Sequence, residues 1–238
     1  MSMVRKEIKV KVKRLSEFRC DIPEMESENY RIKKFVVTEE DAKRFNLRAL
    51  ISFSSGGRTI ETGEYMGLWH KKQQHNPLMS DTPVEVRDHV EFIRKAEGNI
   101  LINGLGLGFA LDACLFKTRQ QPLPYYYISP KEERNIKRRK PIPIVEHATV
   151  IEISQELIDL VTPYYRQKYP NRMAVICADA LDYTFSNGQK FDAVWHDIWP
   201  TICEDNLPDM RKLHRKYGKR AKWQGSWCRW ECEKRARS

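Results

Sequence analysis

Hydrophobic and polar positions follow two rhythms along this chain, and the rhythm changes near residue 78. Residues 4–14, VRKEIKVKVKR, put Ile8, Val10 and Val12 on one side with charges between them, which predicts a half-exposed strand. RIKKFVV (31–37) predicts another. TEEDAKRFNLRAL predicts a helix that opens on Thr38, with Asp41 three residues on as a capping partner. SSGGR (54–58) predicts a turn, and TIETGEYMGLWH a short strand or loop. Residues 1–78 therefore form a small β-rich module without the patterning of an independent core.

From residue 79 the pattern becomes strand–helix alternation. SDTPVEVRDHVEFIRKA (80–96) predicts a helix with Ser80 or Asp81 as cap, Pro83 in the first turn, and Val84, Val86, His89, Phe92 and Ile93 on a ragged apolar face. Short strands are predicted at NILIN (99–103), ATVIEIS (148–154), MAVICA (173–178) and FDAVWHDI (191–198). Helices follow at FALDACLFK, QELIDLVTPYYRQK and NLPDMRKLHRKYG (206–218), and AKWQGSWCRWE (221–231) predicts a last edge strand. This order predicts an α/β fold: a Rossmann-like, doubly wound, mostly parallel sheet over 79–238, truncated after its fifth strand. Too few residues follow helix 206–218 for the closing hairpin of a seven-stranded sheet. The wall that such a hairpin helps to build is expected to be missing or to come from elsewhere.

Right-handed crossovers place the strand ends at 103, 152, 179 and 197 on one rim, where such sheets bind ligands. Gly104, Gly106 and Gly108 follow the first strand directly as GLGLG, the context for a ligand-binding turn. The spacing is not GxGxxG, and no Walker lysine follows. Glu152 ends the second strand, where a carboxylate accepts both hydroxyls of a ribose. Asp179 ends the third, followed by Ala180 at the place to read an adenine edge. Asp197 ends the fourth in HDIWP, with Trp199 two residues on to contact a flat or cationic acceptor. His196 points to the opposite side of its strand.

With these residues in place the chain resembles the class I S-adenosylmethionine-dependent methyltransferases, and within them it looks most like spermidine synthase and its aminopropyltransferase relatives. Ile102 matches the apolar residue two positions before the first glycine. Glu152 matches the ribose-binding glutamate, Asp179 and Ala180 the pair near the adenine, and Asp197 the aspartate that holds the attacking amine. Glu85 and His89 match the glutamate and histidine of the preceding helix. Through MSDTP, RDH, INGLGLG and HDIWP the chain also resembles methyltransferase-like proteins encoded by bacteriophages, which implies a cytoplasmic location in the host. The resemblance implies S-adenosylmethionine or its decarboxylated form as cofactor, and a small-molecule amine or other nucleophile as acceptor.

The departures bear on the acceptor. Trp199 stands where the subgroup carries a second acid, and Leu107 where it carries an aspartate between the glycines. Both losses argue against putrescine, because the sequence supplies no acidic cleft. The chain therefore reads as a methyltransferase acting near Asp197. The alternatives are an aminopropyltransferase and an inactive nucleic-acid-binding protein that keeps the fold.

Charge adds a second theme. The formal net charge is +10. Residues 211–238 hold eleven Lys or Arg against two Glu, a surplus of nine, and KEERNIKRRK (131–140) holds six against two. The second cluster lies in a proline-bearing insertion, about 118–143, that stretches Gly104 to Glu152 to 48 residues where a simple unit needs roughly 20. Tyr125, Tyr126 and Tyr127 stand beside it, an arrangement suited to a nucleic acid or to packing back onto the domain. Trp223, Trp227 and Trp230 suit an edge strand or the seam of a homodimer. No run of about 18 apolar residues predicts a membrane span, and the basic N-terminus lacks a signal-like apolar run. The scattered cysteines 20, 114, 177, 203, 228 and 232 include no CxxC, so free thiols are expected, with neither a disulfide framework nor a metal site.

Overall fold

The computed structural model describes residues 18–51, 58–73, 76–118 and 143–237. The predicted strand at 4–14, most of the turn at 54–58, the three tyrosines and the basic run at 131–140 lie outside the described residues.

The N-terminal module is an antiparallel sheet of β1 (Met25–Glu26), β2 (Tyr30–Val37), β3 (Gly63–His70) and β4 (Met79–Ser80), in that order. β2 and β3 pair over their whole length, from Tyr30 against His70 to Val37 against Gly63. α1 (Glu39–Ile51) leaves β2 through the predicted cap. Thr38 Oγ1 accepts from Asp41 N at 3.1 Å and donates to the Asp41 carboxylate at 2.7 Å, so the box closes with Asp in place of the usual Glu.

The second sheet has five strands, all parallel, in the order β7–β6–β5–β8–β9. They are β5 (Gly98–Asn103), β6 (Val145–Glu152), β7 (Met173–Cys177), β8 (Phe191–His196) and β9 (Ala221–Ser226). The chain winds outward from β5 through β6 to β7, then crosses to β8 and β9 on the other side. The reversal lies between β5 and β8, and that is where doubly wound sheets open a crevice. The predicted Rossmann-like class, its five strands and the small β-rich module are all observed.

Both faces of the sheet are covered. Ile100, Ile102, Ala148, Val150, Ala193 and Trp195 pack with α3 (Val90–Lys95), α4 (Phe109–Phe116), α5 (Gln155–Lys168) and residues of the N-terminal module. Leu101, Ile151 and Val194, one residue out of phase, pack with α6 (Leu207–Tyr217). The near-continuous apolar runs of these strands are what burial on two faces requires. The antiparallel sheet shares the first of these clusters through Ile32, Met66 and Leu68.

Two elements differ from expectation. The helix expected over 80–96 is broken into α2 (Pro83–Asp88) and α3 at His89, whose φ and ψ are −93° and −6°. Neither proposed cap caps it. Asp81 instead accepts from the backbone N–H of Cys20 and of Met66, each at 2.8 Å, and Ser80 bonds Glu85 at 2.8 Å. The last strand ends at Ser226, and α7 (Arg229–Arg235) follows it, so Trp227 and Trp230 leave the sheet edge. The insertion starts and ends at one point, a bridge between Thr118 and Pro143.

Candidate active site

The glycines turn the chain from β5 into α4. Gly104, Gly106 and Gly108 all have positive φ, at 101°, 51° and 74°, values that favour glycine. Space is equally restrictive. A Cβ on Gly104 would lie 1.9 Å from the Asp197 carbonyl oxygen, and one on Gly106 would lie 2.4 Å from the Met79 sulfur. One on Gly108 would lie 2.2 Å from the Tyr165 ring. The close approach expected of a ligand is thus made by protein atoms at all three positions. Gly104 and Gly106 still line a cavity at the switch point, whereas Gly108 is not among its lining residues and stands at the start of α4.

That cavity has a volume of about 330 Å³, within the range of small-molecule sites. Glu85, His89, Glu152, Asp179, Ala180, Asp197 and Trp199 also line it. The parallel register brings them together: Asn103 pairs with both Ile151 and His196, so the strand ends finish level. Glu152 is buried, and its carboxylate accepts from Leu105 N in the glycine turn and from Ser154 N at the start of α5, each at 2.9 Å. It therefore ties the turn to its own strand while facing the cavity. Asp179 Oδ1 accepts from Leu181 N at 2.7 Å, which fixes the turn that presents Ala180.

The remaining wall comes from the N-terminal sheet. Tyr30, Leu68, Leu78 and Met79 line the cavity. Asn29 anchors this wall to α5, donating from its backbone and side-chain N–H groups to Glu156 at 2.6 and 2.9 Å. Met79 Sδ accepts from Leu107 N at 3.3 Å, beside Gly106. Trp227, held by its N–H on the His196 carbonyl at 2.9 Å, closes another side. Sequence reasoning found none of these five residues. Met79 lies in the quoted MSDTP phrase, the one local signal that could have pointed to it.

An acidic cleft exists, contrary to expectation. Glu85, Glu152, Asp179 and Asp197 line one cavity, and among its described lining residues none is Lys or Arg. Burial pushes the Asp197 carboxyl up to about 8, aided by the charges of Glu85, Asp88 and Glu152. Burial also pushes Glu85 up to about 7, against its hydrogen bonds from Ser80. His89 is pulled down to about 4 by burial and then by Arg58. It packs against Phe109 and Trp195 and is neutral at pH 7, so its 3.8 Å approach to Asp197 is not an ion pair. Behind it Arg58 binds Asp88, Cys228 and Glu231. Those three ligand-type groups lie within 4.8 Å of one another, and the guanidinium occupies their common centre.

A pH titration should expose this coupling. Trp199 and Trp227 line the cavity, so their fluorescence reports on its ionisation. The transition is expected near pH 8 in the wild type and at lower pH in Glu85→Gln, because one repelling charge is gone. An unmoved transition would show that the two carboxyls do not interact.

His196 lies on the far face of the sheet, as its strand position implies. It is buried between His214 and Tyr217, with Nδ1 paired to Asn103 Nδ2 at 2.7 Å. Trp195 does not line the cavity. It stacks between Phe92 and Trp223, at ring separations of 5.4 and 6.4 Å.

No family model and no curated protein matches the chain. Among solved structures it is similar to a dimethyladenosine transferase from Plasmodium falciparum, at 18% identity and a TM-score of 0.35 over 54% of this chain and 35% of that one. It is also similar to the N-methyltransferase NodS from Bradyrhizobium japonicum with S-adenosyl-L-homocysteine, at 16% identity and a TM-score of 0.35 over 64% and 61%. An rRNA methylase from Streptococcus thermophilus matches at 6% identity and a TM-score of 0.37, over 59% and 65%. The chain thus spans between 35% and 65% of the length of these structures. Likeness at this level assigns neither a reaction nor a residue role.

Proposed function

We propose that this protein is an S-adenosylmethionine-dependent methyltransferase acting on an amine held near Asp197. The observation that carries the reading is the convergence, at the switch point of a doubly wound sheet, of Gly104, Gly106, Glu152, Asp179 and Asp197 on one cavity. Two buried polar atoms of residues that line it, His89 Nδ1 and Trp199 Nε1, have no hydrogen-bond partner among the described residues.

The residues present fit such a cofactor. Glu152 would hold the ribose, with Asp179 and Ala180 beside the adenine and Gly104 and Gly106 beneath the amino-acid end. When bound, the group supplies a methyl already activated on a sulfonium sulfur. The protein's part is alignment and exclusion of water. The acidic wall attracts a cationic amine, and Asp197, ionised above its raised value, takes up the proton that the amine must lose. Trp199 contacts the acceptor, Glu85 adds negative charge, and neutral His89 positions Asp197 without competing for that charge.

One feature favours a second reading, aminopropyl transfer from decarboxylated S-adenosylmethionine. With no Lys or Arg among the described lining residues, no side-chain cation is there to meet a cofactor carboxylate. Calorimetry with S-adenosylmethionine, its decarboxylated form and S-adenosylhomocysteine decides between the readings. Binding of the first and third supports methyl transfer, and preference for the second supports aminopropyl transfer. Binding of none by the folded protein removes both. Glu152→Gln is expected to weaken whichever binds by about 1.5–3 kcal/mol, the worth of a hydrogen bond to a charged group.

A further inference from the structure

The strongly basic segment after β8 builds a surface separate from the acidic cavity. The apolar residues of α6, Leu207, Met210, Leu213 and Tyr217, all face the core. The exposed side carries Arg211, Lys212 and Arg215, and Lys219 follows just past the helix end. Arg211 and Arg215 stand four residues apart, about 6 Å along the helix, and Lys219 lies in the turn that follows it. None of the three side chains has a carboxylate or other hydrogen-bond partner among the described residues.

At its far end this row opens into a concave site of about 440 Å³ lined by Lys190, Arg215, Lys216, Lys219 and Arg220, with no Asp or Glu in the lining. Cations that do have partners there bind backbone carbonyls. Arg220 donates to Ser186, Gln189 and Phe185, Lys190 to Lys219, and Lys216 to Ala180 and Leu181 at 2.9 and 3.1 Å. Lys190, Lys216 and Arg220 form no ion pair among the described residues, although the charges of Asp182 and Asp179 act on Lys216. Asp182 and Asp192 pair with Lys212 and Lys222.

We infer that the exposed face of α6 and the basic hollow at its end bind the phosphodiester backbone of a nucleic acid. A ridge of cations without carboxylate partners, leading into a basic hollow, complements a polymer with one anion per residue. A membrane surface fits less well, because Leu207, Met210, Leu213 and Tyr217 of α6 are all buried and offer nothing for insertion. The ridge also adjoins the cavity, since Ala180 and Leu181, which Lys216 holds, line it. Binding here does not depend on the proposed transfer reaction.

The test uses the full chain and fluorescein-labelled 20-nucleotide single-stranded DNA, single-stranded RNA and duplex DNA, read by anisotropy. Binding to at least one at 50 mM salt is expected, with affinity falling by about 10²-fold at 200 mM, the dependence for neutralising roughly four phosphates and releasing their counterions. Arg211→Gln/Arg215→Gln/Lys219→Gln should weaken binding at least tenfold and reduce the salt slope by about 2–3. Lys34→Gln/Lys43→Gln/Arg44→Gln, which removes the same charge from the N-terminal module, should stay within about twofold. Matching thermal melts show that all the proteins are folded. No binding at 50 mM, equal weakening in both triple variants, or tighter binding to phosphatidylserine vesicles than to any oligonucleotide would each overturn the inference.

Discussion

Asp197→Asn is expected to leave affinity for S-adenosylhomocysteine within about threefold while slowing transfer to the accepted amine by about 10²–10⁴-fold, the usual worth of a positioned proton acceptor. The substitution keeps the shape and removes the charge. The backbone contact that fixes the residue, Asp197 N to the Asn103 carbonyl at 2.8 Å, is unaffected. Stability provides the control. Asp197 in the folded chain keeps its proton up to about 8, whereas an unfolded aspartate loses it near 4. Between these values the folded state binds the extra proton, so the wild type loses stability as pH rises through this window. Asn cannot ionise. The variant should therefore melt above the wild type at pH 9 and close to it at pH 4. Equal transfer rates for the two proteins would make Asp197 a structural residue, and melting curves that coincide at both pH values would show that its carboxyl is not desolvated.

Gly104→Ala should be among the most damaging single-methyl additions in the chain. At φ 101° the backbone conformation is one that alanine rarely adopts, a strain of about 1–3 kcal/mol. The new Cβ would also lie 1.9 Å from the Asp197 carbonyl oxygen and 2.8 Å from its carbon. Both are backbone atoms at the ends of adjacent strands, so relief requires β5 and β8 to separate where the cavity opens. Overpacking adds about 1–3 kcal/mol. The sum predicts a fall in Tm of about 5–20 °C for a chain of this size, with Asp197 displaced and cofactor affinity lost together. Calorimetric melting and ligand titration of the same preparation measure both. A variant that melts within 2 °C of the wild type and binds normally would mean that the glycine turn is more pliable than these contacts imply.

The two substitutions probe parts of the site that differ in how visible they were beforehand. Asp197 is recognisable from its place at the end of an apolar run, because strand ends in a parallel sheet share a rim. Gly104 is equally recognisable, but for an incomplete reason. Its position suggested a ligand approaching the backbone, and the atom that excludes a side chain is the carbonyl of Asp197, 93 residues later. Gly108 carries the same lesson further, since its constraint is the Tyr165 ring and it does not reach the cavity.

What the sequence determined by itself is local. Period-two and apolar runs located most strands. The Thr38–Asp41 box marked where α1 begins, because it depends on atoms within a few residues, and the GLGLG run marked the turn from β5 into α4. The alternation of strands and helices then left few ways to wind the sheet, which is why the rim residues could be placed together. Tertiary structure decided everything that depends on register between distant segments. It broke the helix at His89, which is buried against Phe109 and Trp195. It turned the chain after Ser226 into α7 and brought Trp227 to the cavity. It set the N-terminal sheet beside the switch point, where Tyr30, Leu68 and Met79 line the cavity. It also gathered Glu85, Glu152, Asp179 and Asp197 into one cleft without a Lys or Arg in its described lining, inside a chain whose net charge is strongly positive. Net charge is a sum along the sequence, whereas the potential in a cavity depends on which side chains fold to face it, and only the packed sheet fixes that.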